Sequence, residues 1–392
     1  MRSGITCHKA RLIMQAPGAW IPDGFVAISQ GKILEIGSLG RKPPGFKLLD
    51  HGPGILMPAL VNAHTHLTLS ALRGRLETSR GFLAWVESMI RERSQVSHEQ
   101  ALGAALKELK AFRDAGVGLV GEVGPLFPME EHLSLWGLEG VVWHEFLGEE
   151  RDLCLPSQAH PGITSSLAGH APHTTSPKLL QKLKLLCSSS NLPFCLHLAE
   201  SEEEMEFLQT AQGKWASFLE SRGFDFRDWN CFGLSPVGLA HRLGLLDSDT
   251  LVVHLIYVTD QEIELLAGSR VRVCICPRSN WRLHKALPPL EKFLKCGLKP
   301  ALGTDSLASV ETLSLFEEMS FTACHFPWLK PGEILQMATV NGARALGRPD
   351  LGVLEKGRSA RMIYVEMEGS DPSRIEESLV HEAPKLIRPI GW

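Results

Sequence analysis

Residues 55–66 read ILMPALVNAHTH, an apolar run that is closed by two histidines. Side chains at positions i and i+2 of a strand point to the same face, so His64 and His66 can direct their imidazoles at one ion. Parallel barrels carry their chemistry at the carboxyl ends of their strands. One His-x-His pair is a weak signal, because most such pairs are ordinary surface or packed histidines. The run therefore predicts a buried strand with a candidate metal site at its end.

Apolar strand-like runs alternate with helix-like runs from residue 55 onward, a pattern typical of βα units around a parallel sheet. In the first helical region, Ser97 followed by Gln100 is the signature of a capped helix start, and Gly116 marks the end of that helix. Seven runs are strand candidates, namely 55–63, 117–123, 141–147, 193–198, 250–255, 271–276 and 299–303. A weaker eighth candidate lies near residues 162–169. The pattern predicts a distorted (β/α)8 barrel of the TIM type over residues 56–347.

The two ends of the chain show a different pattern, with short alternating runs between glycines and prolines. Residues 24–28 and 32–36 are examples near the start, and residues 351–357 followed by 361–365 indicate a turn and a strand near the end. We expect residues 1–55 and 348–392 to form one small β-sandwich domain beside the barrel.

The composition favours a globular chain whose partner is a small molecule. Its 392 residues, 44% of them hydrophobic, are enough to bury a large core. A formal net charge of -4 without a basic stripe argues against nucleic acid or an anionic membrane as partner. Nine scattered cysteines indicate reduced thiols and a cytoplasmic protein. Residues 1–17 show neither an export signal nor a membrane span.

Polar side chains also close three of the later strand candidates. They are His197, His254 and Asp305. Packing alone is an improbable reason for four strands to end in histidine or aspartate, because burying unpaired imidazoles beside a carboxylate costs several kcal/mol. The set therefore predicts one polar site at the carboxyl ends of the barrel strands.

Three imidazoles and one carboxylate suit a single divalent ion such as Zn²⁺ or Fe²⁺, and are too rich in nitrogen for magnesium or calcium. Each of His197, His254 and Asp305 is a possible ligand beside His64 and His66, or a group that handles protons. Such an ion lowers the pKa of bound water towards neutrality and so supplies a nucleophile at physiological pH. Release of an amine also needs an acid. Glu200, three residues after His197, would by itself be an ordinary helix-start residue, but beside a metal ligand we interpret it as the general acid and base.

Six motifs are spread along the chain. They are His64-Thr65-His66, His170-Ala171-Pro172-His173-Thr174, His197-Leu198-Ala199-Glu200, His254, Cys276-Pro277-Arg278-Ser279-Asn280 and Gly303-Thr304-Asp305-Ser306. Together they resemble the nucleoside and nucleobase deaminase branch of the amidohydrolases over almost the whole chain. The resemblance implies that His64, His66, His197 and Asp305 bind one metal ion. It also implies that Glu200 and His254 move protons or hold the attacking water, that Asp305 accepts a proton from that water, and that His170 contacts substrate.

The resemblance also implies hydrolytic deamination of a 6-aminopurine nucleoside with release of ammonia. S-adenosylhomocysteine and methylthioadenosine deaminases usually carry tyrosine where this chain has His173, and the histidine form is similar to aminodeoxyfutalosine deaminases of menaquinone biosynthesis. We expect aminodeoxyfutalosine as the best substrate, with S-adenosylhomocysteine, methylthioadenosine or adenosine as alternatives. The nearest rival is a triazine hydrolase or chlorohydrolase of the same fold. A non-catalytic descendant would have lost a ligand or the acid, and neither is lost. A homodimer is the candidate assembly.

Four residues are candidates for contact with the substrate: His170, His173, Glu92 and Arg278. Relatives place a ribose-contacting acid after the first helix, and Glu92 is taken for it, with its neighbours left open. Arg278 could meet an anionic 5′ group, and its loss would then cost about 1.5–3 kcal/mol of transition-state binding. Asn280 either bonds within its own loop or contacts substrate. Three residues share one helix face and are expected in the core: Trp85, Met89 and Ile90.

Overall fold

The structure is a computed structural model that describes residues 4–41, 47–124, 129–369 and 371–392. The other residues of the predicted β domain, 1–3, 42–46 and 370, lie outside the described ranges. The strands are β1 (Thr6–Ala16), β2 (Ala19–Ser29), β3 (Lys32–Ser38), β4 (Lys47–Asp50), β5 (Ile55–Pro58), β6 (Leu60–Thr65), β7 (Val117–Gly124), β8 (Glu139–Phe146), β9 (Ile163–Gly169), β10 (Phe194–Leu198), β11 (Thr250–His254), β12 (Arg272–Ile275), β13 (Ala301–Leu302), β14 (Met362–Val365) and β15 (Ile387–Ile390). The helices are α1 (Phe82–Arg93), α2 (His98–Asp114), α3 (Glu130–Leu135), α4 (Pro177–Ser189), α5 (Glu202–Thr210), α6 (Gly213–Ser221), α7 (Pro236–Arg242), α8 (Asp260–Ser269), α9 (Pro277–His284), α10 (Leu290–Lys295), α11 (Leu315–His325), α12 (Pro331–Met337), α13 (Val340–Ala345) and α14 (Pro372–His381).

Eight parallel strands, β6 to β13, pair in chain order and curve into a nearly closed barrel. The two edge strands approach each other through a parallel bridge between Thr65 and Asp305. The carbonyl oxygen of His64 also accepts the backbone N–H of Thr304 at 3.0 Å. The predicted (β/α)8 barrel is confirmed, the weak eighth strand is β9, and the barrel closes where the polar site was predicted.

The opening apolar run belongs to two sheets, so the prediction of a single barrel strand over residues 55–63 was wrong. Strand β5 pairs with β1 and β14, whereas β6 pairs with β7. The change of sheet lies at Ala59, whose N–H donates to the carbonyl of Arg361 at 3.2 Å, while the N–H of Leu60 donates to Gly116 at 2.9 Å. Every residue from 55 to 66 is buried, so the apolar pattern has no break at the boundary between the sheets.

The two ends of the chain together form one seven-stranded sheet from β1–β5, β14 and β15. On one face, Ile13, Leu56 and Tyr364 pack in a core of their own. On the other face, Leu12 and Ile363 join the large core shared with the barrel. The small β domain built from both termini is confirmed. The division of the chain at residues 55 and 348 stays a prediction.

Two helices differ in how well the sequence indicated them. Helix α2 begins at the predicted cap, where Ser97 and Gln100 form a reciprocal capping box. Helix α14 was not predicted. It packs against α11 and α12 and buries Ile375 and Leu379, so the carboxyl-terminal segment contributes to the helical layer as well as to the sheet. Among the helices of the described ranges, none is long and apolar enough to cross a membrane.

Candidate active site at the carboxyl ends of the barrel strands

The four predicted metal ligands lie together at the end of the barrel. Ring nitrogens of His64, His66 and His197 lie within 4.8 Å of one another. Nε2 of His64 and Nε2 of His197 are 3.2 Å apart, and Oδ1 of Asp305 is 3.7 Å from Nε2 of His66. The parallel bridge between Thr65 and Asp305 explains this proximity, because it places the last strand end directly beside the first.

The spacing and the protonation state of these groups fit a divalent metal ion. Two nitrogens bound to a tetrahedral zinc at about 2.0–2.1 Å are about 3.3 Å apart. The two Nε2 atoms of His64 and His197 are separated by 3.2 Å. Burial, and after it the neighbouring imidazoles, lower the pKa of His66 to about 4 and that of His197 to about 3. Both rings are neutral at pH 7, as metal binding requires.

Asp305 is fixed by two hydroxyl groups. Ser279 Oγ donates to Oδ2 of Asp305, and Ser309 Oγ donates to the same oxygen at 2.9 Å. These contacts leave Oδ1 directed towards His66. Asp305 has a φ of +57° and His254 a φ of +79°, a region that costs most residues of order 1–3 kcal/mol. Backbone strain is thus present at two of the strand ends that carry the predicted chemistry.

Glu200 and His254 face each other beside the histidine cluster. Oε1 of Glu200 is 3.6 Å from Nε2 of His254, and Nδ1–H of His254 donates to Oδ1 of Asn280 at 2.8 Å. The backbone N–H of Glu200 donates to Oε2 of Glu204 at 2.8 Å and anchors the turn after β10. Burial opposes ionisation of Glu200, but His254 and His284 outweigh it and hold the pKa of the carboxyl well below its usual range. Glu200 is therefore an ionised carboxylate at neutral pH.

A mostly apolar cavity of about 280 Å³ opens in front of these groups. Its polar end is formed by His66, His197, Glu200, His254 and Asp305. Helices α1 and α6 supply much of its wall, including Phe82, Trp215 and Phe218. Trp85 belongs to a core cluster, Met89 and Ile90 pack against that cluster, and all three residues also line this cavity. Apolar residues at helical spacing indicate a buried helix face. The spacing is the same whether that face packs against the core or lines a ligand cavity.

Comparison with known proteins identifies the family to which this chain belongs. Residues 149–386 match the family model described as "Amidohydrolase family". The chain belongs to this family. It is 28% identical over 404 residues to a 5-methylthioadenosine/S-adenosylhomocysteine deaminase of Moorella thermoacetica, with 95% of this chain and 88% of the relative covered. It is 30% identical over 382 residues to a 5'-deoxyadenosine deaminase of Methanosarcina mazei, with 91% and 82% covered.

The fold of this amidohydrolase is also that of a solved structure. Helicobacter pylori aminofutalosine deaminase in complex with methylthio-coformycin superposes with a TM-score of 0.87 at 24% identity, over 97% of both chains. At 24% sequence identity, this similarity shows that the two proteins share a fold. Together, the family and the deaminase relatives show that the chain is a hydrolase acting on C–N bonds, as the motifs predicted.

Two of the predicted substrate contacts border the cavity of the amidohydrolase. His170 follows β9, and its Nδ1 lies 2.7 Å from Oγ1 of Thr174. His173 is almost fully buried, with Nδ1 3.6 Å from Oε1 of Glu204, and its carbonyl accepts Nε1–H of Trp215 at 3.0 Å. Both histidines line the cavity, and their contact with substrate stays a prediction.

The structure does not bring Glu92 to the cavity. Its Oε1 lies 3.4 Å from Nε of Arg91, on the flank of α1. The cavity face of α1 carries Val86, Met89 and Arg93 instead. Glu92 is rotated away from this face because successive residues of a helix differ by about 100°. The prediction that Glu92 contacts ribose is therefore not supported.

Arg278 also points away from the cavity. Its Nη1 donates to the carbonyl of Thr312 at 3.0 Å, and its Nη2 lies 2.7 Å from Oε2 of Glu317. The next two residues on α9, Ser279 and Asn280, turn inwards to Asp305 and His254. The helical rotation of about 100° per residue separates these directions. Arg278 is thus a structural residue here, and Asn280 bonds to a site residue rather than within a loop.

Glu145 and Arg93 are two of the charged residues that line the cavity and that the sequence analysis did not single out. Glu145 lies on β8, with Oε1 3.7 Å from Nδ1 of His197, and this oxygen is buried without a hydrogen-bond partner among the described residues. Burial raises the pKa of Glu145 to about 8, against the opposing effect of Arg93. Arg93 ends α1 and lines the same cavity. A polar residue at the end of a predicted strand, the signal that indicated His197, could have indicated Glu145.

Gly303 lies directly behind His64, and we expect Gly303→Ala to weaken metal binding. A Cβ at this position would lie 2.8 Å from Cys274 Sγ and 2.8 Å from His64 Cβ, so the ligand has to move. Displaced ligand geometry is expected to lower metal affinity by about 10-fold or more. Elemental analysis after dialysis against a chelator measures how much metal each variant retains. Gly268→Ala on α8, where a Cβ meets nothing within 4 Å, is the control, and equal metal retention in both variants would contradict the prediction.

Proposed function

We propose that this amidohydrolase removes the exocyclic amine of a 6-aminopurine nucleoside by hydrolysis and releases ammonia. The observation that carries the proposal is the convergence of the four ligands with Glu200 and His254 at the polar end of an apolar cavity. A flat purine fits apolar walls and leaves its amine at the polar end. Two relatives that cover most of this chain are named as deaminases of adenine nucleosides, which supports the same reaction class.

We propose that His64, His66, His197 and Asp305 hold one Zn²⁺ or Fe²⁺ per chain. When bound, such an ion supplies water of lowered pKa as a nucleophile at neutral pH. Glu200 would take up one proton of the attacking water and give it to the purine ring nitrogen, and His254 would orient that water. Asp305 would accept the other water proton, which would reach the departing amine through Glu200, so that the C–N bond breaks after a C–O bond has formed at the same carbon. These proton positions are coupled and titrate as a group.

We propose that Glu145 and Arg93, rather than Glu92, bind the ribose hydroxyls of the substrate. The buried Oε1 of Glu145 has no hydrogen-bond partner in the described part of the chain, and a hydroxyl proton would satisfy it. Arg93 lines the same cavity and can donate to a hydroxyl oxygen. Oε1 of Glu145 is 3.7 Å from Nδ1 of His197, so this carboxyl group lies beside a proposed metal ligand.

The finer proposal is that aminodeoxyfutalosine is the preferred substrate and futalosine the product, in menaquinone biosynthesis. Trp215, Phe218 and Phe224 provide aromatic wall for a 5′ extension. Arg222 is exposed and lines the same cavity, so it lies on the solvent side. Its guanidinium has no hydrogen-bond or ion-pair partner among the residues that the structure describes. An aromatic extension ending in a carboxylate would contact this wall and this cation.

Arg222→Ala is expected to lower kcat/KM for aminodeoxyfutalosine about 5-fold and to leave 5′-deoxyadenosine unaffected. A charged hydrogen bond contributes about 1.5–3 kcal/mol, and solvent exposure reduces this to about 1 kcal/mol. Steady-state kinetics with both substrates measures the difference. Arg278→Ala is the matched control, because that guanidinium is bound to Thr312 and Glu317 instead. Equal losses for both substrates in Arg222→Ala would reject the role of Arg222.

Ammonia release from a panel of candidate substrates tests the proposed function itself. The panel contains aminodeoxyfutalosine, S-adenosylhomocysteine, methylthioadenosine, adenosine, guanine and an amino-triazine. We expect the adenine nucleosides to react and aminodeoxyfutalosine to have the highest kcat/KM. A preference for S-adenosylhomocysteine would reject the futalosine assignment alone, whereas reaction with the triazine only would reject nucleoside deamination.

Cellular location and assembly stay predictions. Three exposed cysteines, Cys154, Cys296 and Cys324, are free thiols, which supports a reducing compartment such as the cytoplasm. We propose a cytoplasmic enzyme without a nucleic-acid partner, with a homodimer as the candidate assembly that light scattering can test.

A further inference from the structure

Helix α9 contacts every residue to which a catalytic role is proposed. Ser279 and Asn280, both fully buried, bind Asp305 and His254. The last residue of the helix, His284, reaches the proposed general acid and base. Positions 280 and 284 are four residues apart and share one face of the helix, whereas position 279 is rotated from position 280 by about 100°. A single element thus supports three groups that come from three different strand ends.

The contact made by His284 is buried and specific. Its Nε2 lies 3.4 Å from Oε1 of Glu200, and its side chain is 3% exposed. The ring also packs against Phe82, with 4.7 Å between the ring centroids. His254 approaches the same carboxylate oxygen, with its Nε2 at 3.6 Å. Oε1 of Glu200 is therefore shared by two imidazoles, which leaves Oε2 for the substrate.

We propose that His284 is a positioning residue, which donates its Nε2–H to Oε1 of Glu200 and keeps Oε2 directed at the substrate. The proposal rests on the role of Glu200 in the proposed function. Glu200 lines the cavity, whereas His284 is not among the described residues that do so, and it therefore acts through the carboxylate. A carboxylate that takes up and returns a proton needs a fixed direction, because proton transfer requires hydrogen-bond geometry at both steps.

A pair of polar substitutions tests this contact without leaving an apolar side chain beside Glu200. The amide nitrogen of Gln reaches about as far as Nε2 of histidine, whereas that of Asn falls short. We expect His284→Asn to lower kcat about 10-fold, with KM for adenosine within about 2-fold and metal content unchanged. We expect His284→Gln to recover kcat to within about 3-fold of the wild type. Equal kcat values for the Asn and Gln variants would overturn the proposal.

Trp281→Leu is the control for general damage to α9, because Trp281 is 40% exposed on the same helix and its ring packs against His325, outside the site. If Trp281→Leu lowers kcat as much as His284→Asn does, the loss in His284→Asn comes from general damage to the helix, and the proposal is overturned.

A double-substitution cycle separates this inference from the proposed function. If His284 acts through Glu200, adding His284→Asn to Glu200→Gln lowers kcat by less than 2-fold, because the carboxylate is already absent. A full additional 10-fold loss would show that His284 acts elsewhere and would overturn the proposal. Near-normal turnover of Glu200→Gln alone would instead reject the proposed acid and base, and the two failures are therefore distinguishable.

Discussion

Glu200→Gln lowers turnover by at least ~100-fold and leaves the bound metal in place. The substitution keeps the shape of the side chain and removes the group that carries the proton to the ring nitrogen and the amine, a contribution of typically 10²–10⁴-fold. Glu200 is held by His254 and His284 and is not one of the four ligands, so the metal content should not change. Single-turnover ammonia release and elemental analysis measure the two effects.

Glu202→Gln is the matched control, since Glu202 is an exposed carboxylate two residues further along the chain. It should retain wild-type turnover. A Glu200→Gln variant with near-normal turnover would reassign the acid. A variant that loses its metal would instead show that Glu200 supports the ion.

Removal of the metal is expected to abolish deamination, with a loss of at least ~1000-fold, because unbound water has a pKa of about 15.7 and is a weak nucleophile at pH 7. Dialysis against a chelator followed by addition of Zn²⁺ or Fe²⁺ measures loss and recovery. Elemental analysis of active protein is expected to give one ion per chain. Full turnover of metal-free protein would contradict the proposed chemistry.

The expectation of a single ion has a specific structural basis. A second group of side chains, Glu145, His170 and His197, also has ligand atoms within 4.8 Å of one another. However, Nδ1–H of His197 donates to the carbonyl of His170 at 2.9 Å, and that nitrogen is therefore not free for a second ion. Two ions per chain in active protein would overturn the single-metal site.

The barrel and its polar end could be predicted from the sequence because both depend on local spacing. Alternation of strands and helices gives a parallel sheet, and a residue at a strand's end is placed by that strand alone. His64, His66, His197, His254 and Asp305 each close a strand, and the structure brings them together. The start of α2 was predictable for the same reason, since a capping box is formed by residues three apart.

Other features depend on how separate elements pack against one another, and only the tertiary structure decided these features. The boundary between β5 and β6 lies inside one continuous apolar run, so it depends on which strands pair with each half. The direction of Arg278 depends on the rotation of α9 against the barrel. The proximity of Glu145 to His197, and of His284 to Glu200, joins residues 52 and 84 positions apart. The sequence by itself determined which residue types end the strands, because that information is local. Which further side chains surround the site depends on packing between distant segments, and one sequence holds no local signal for it.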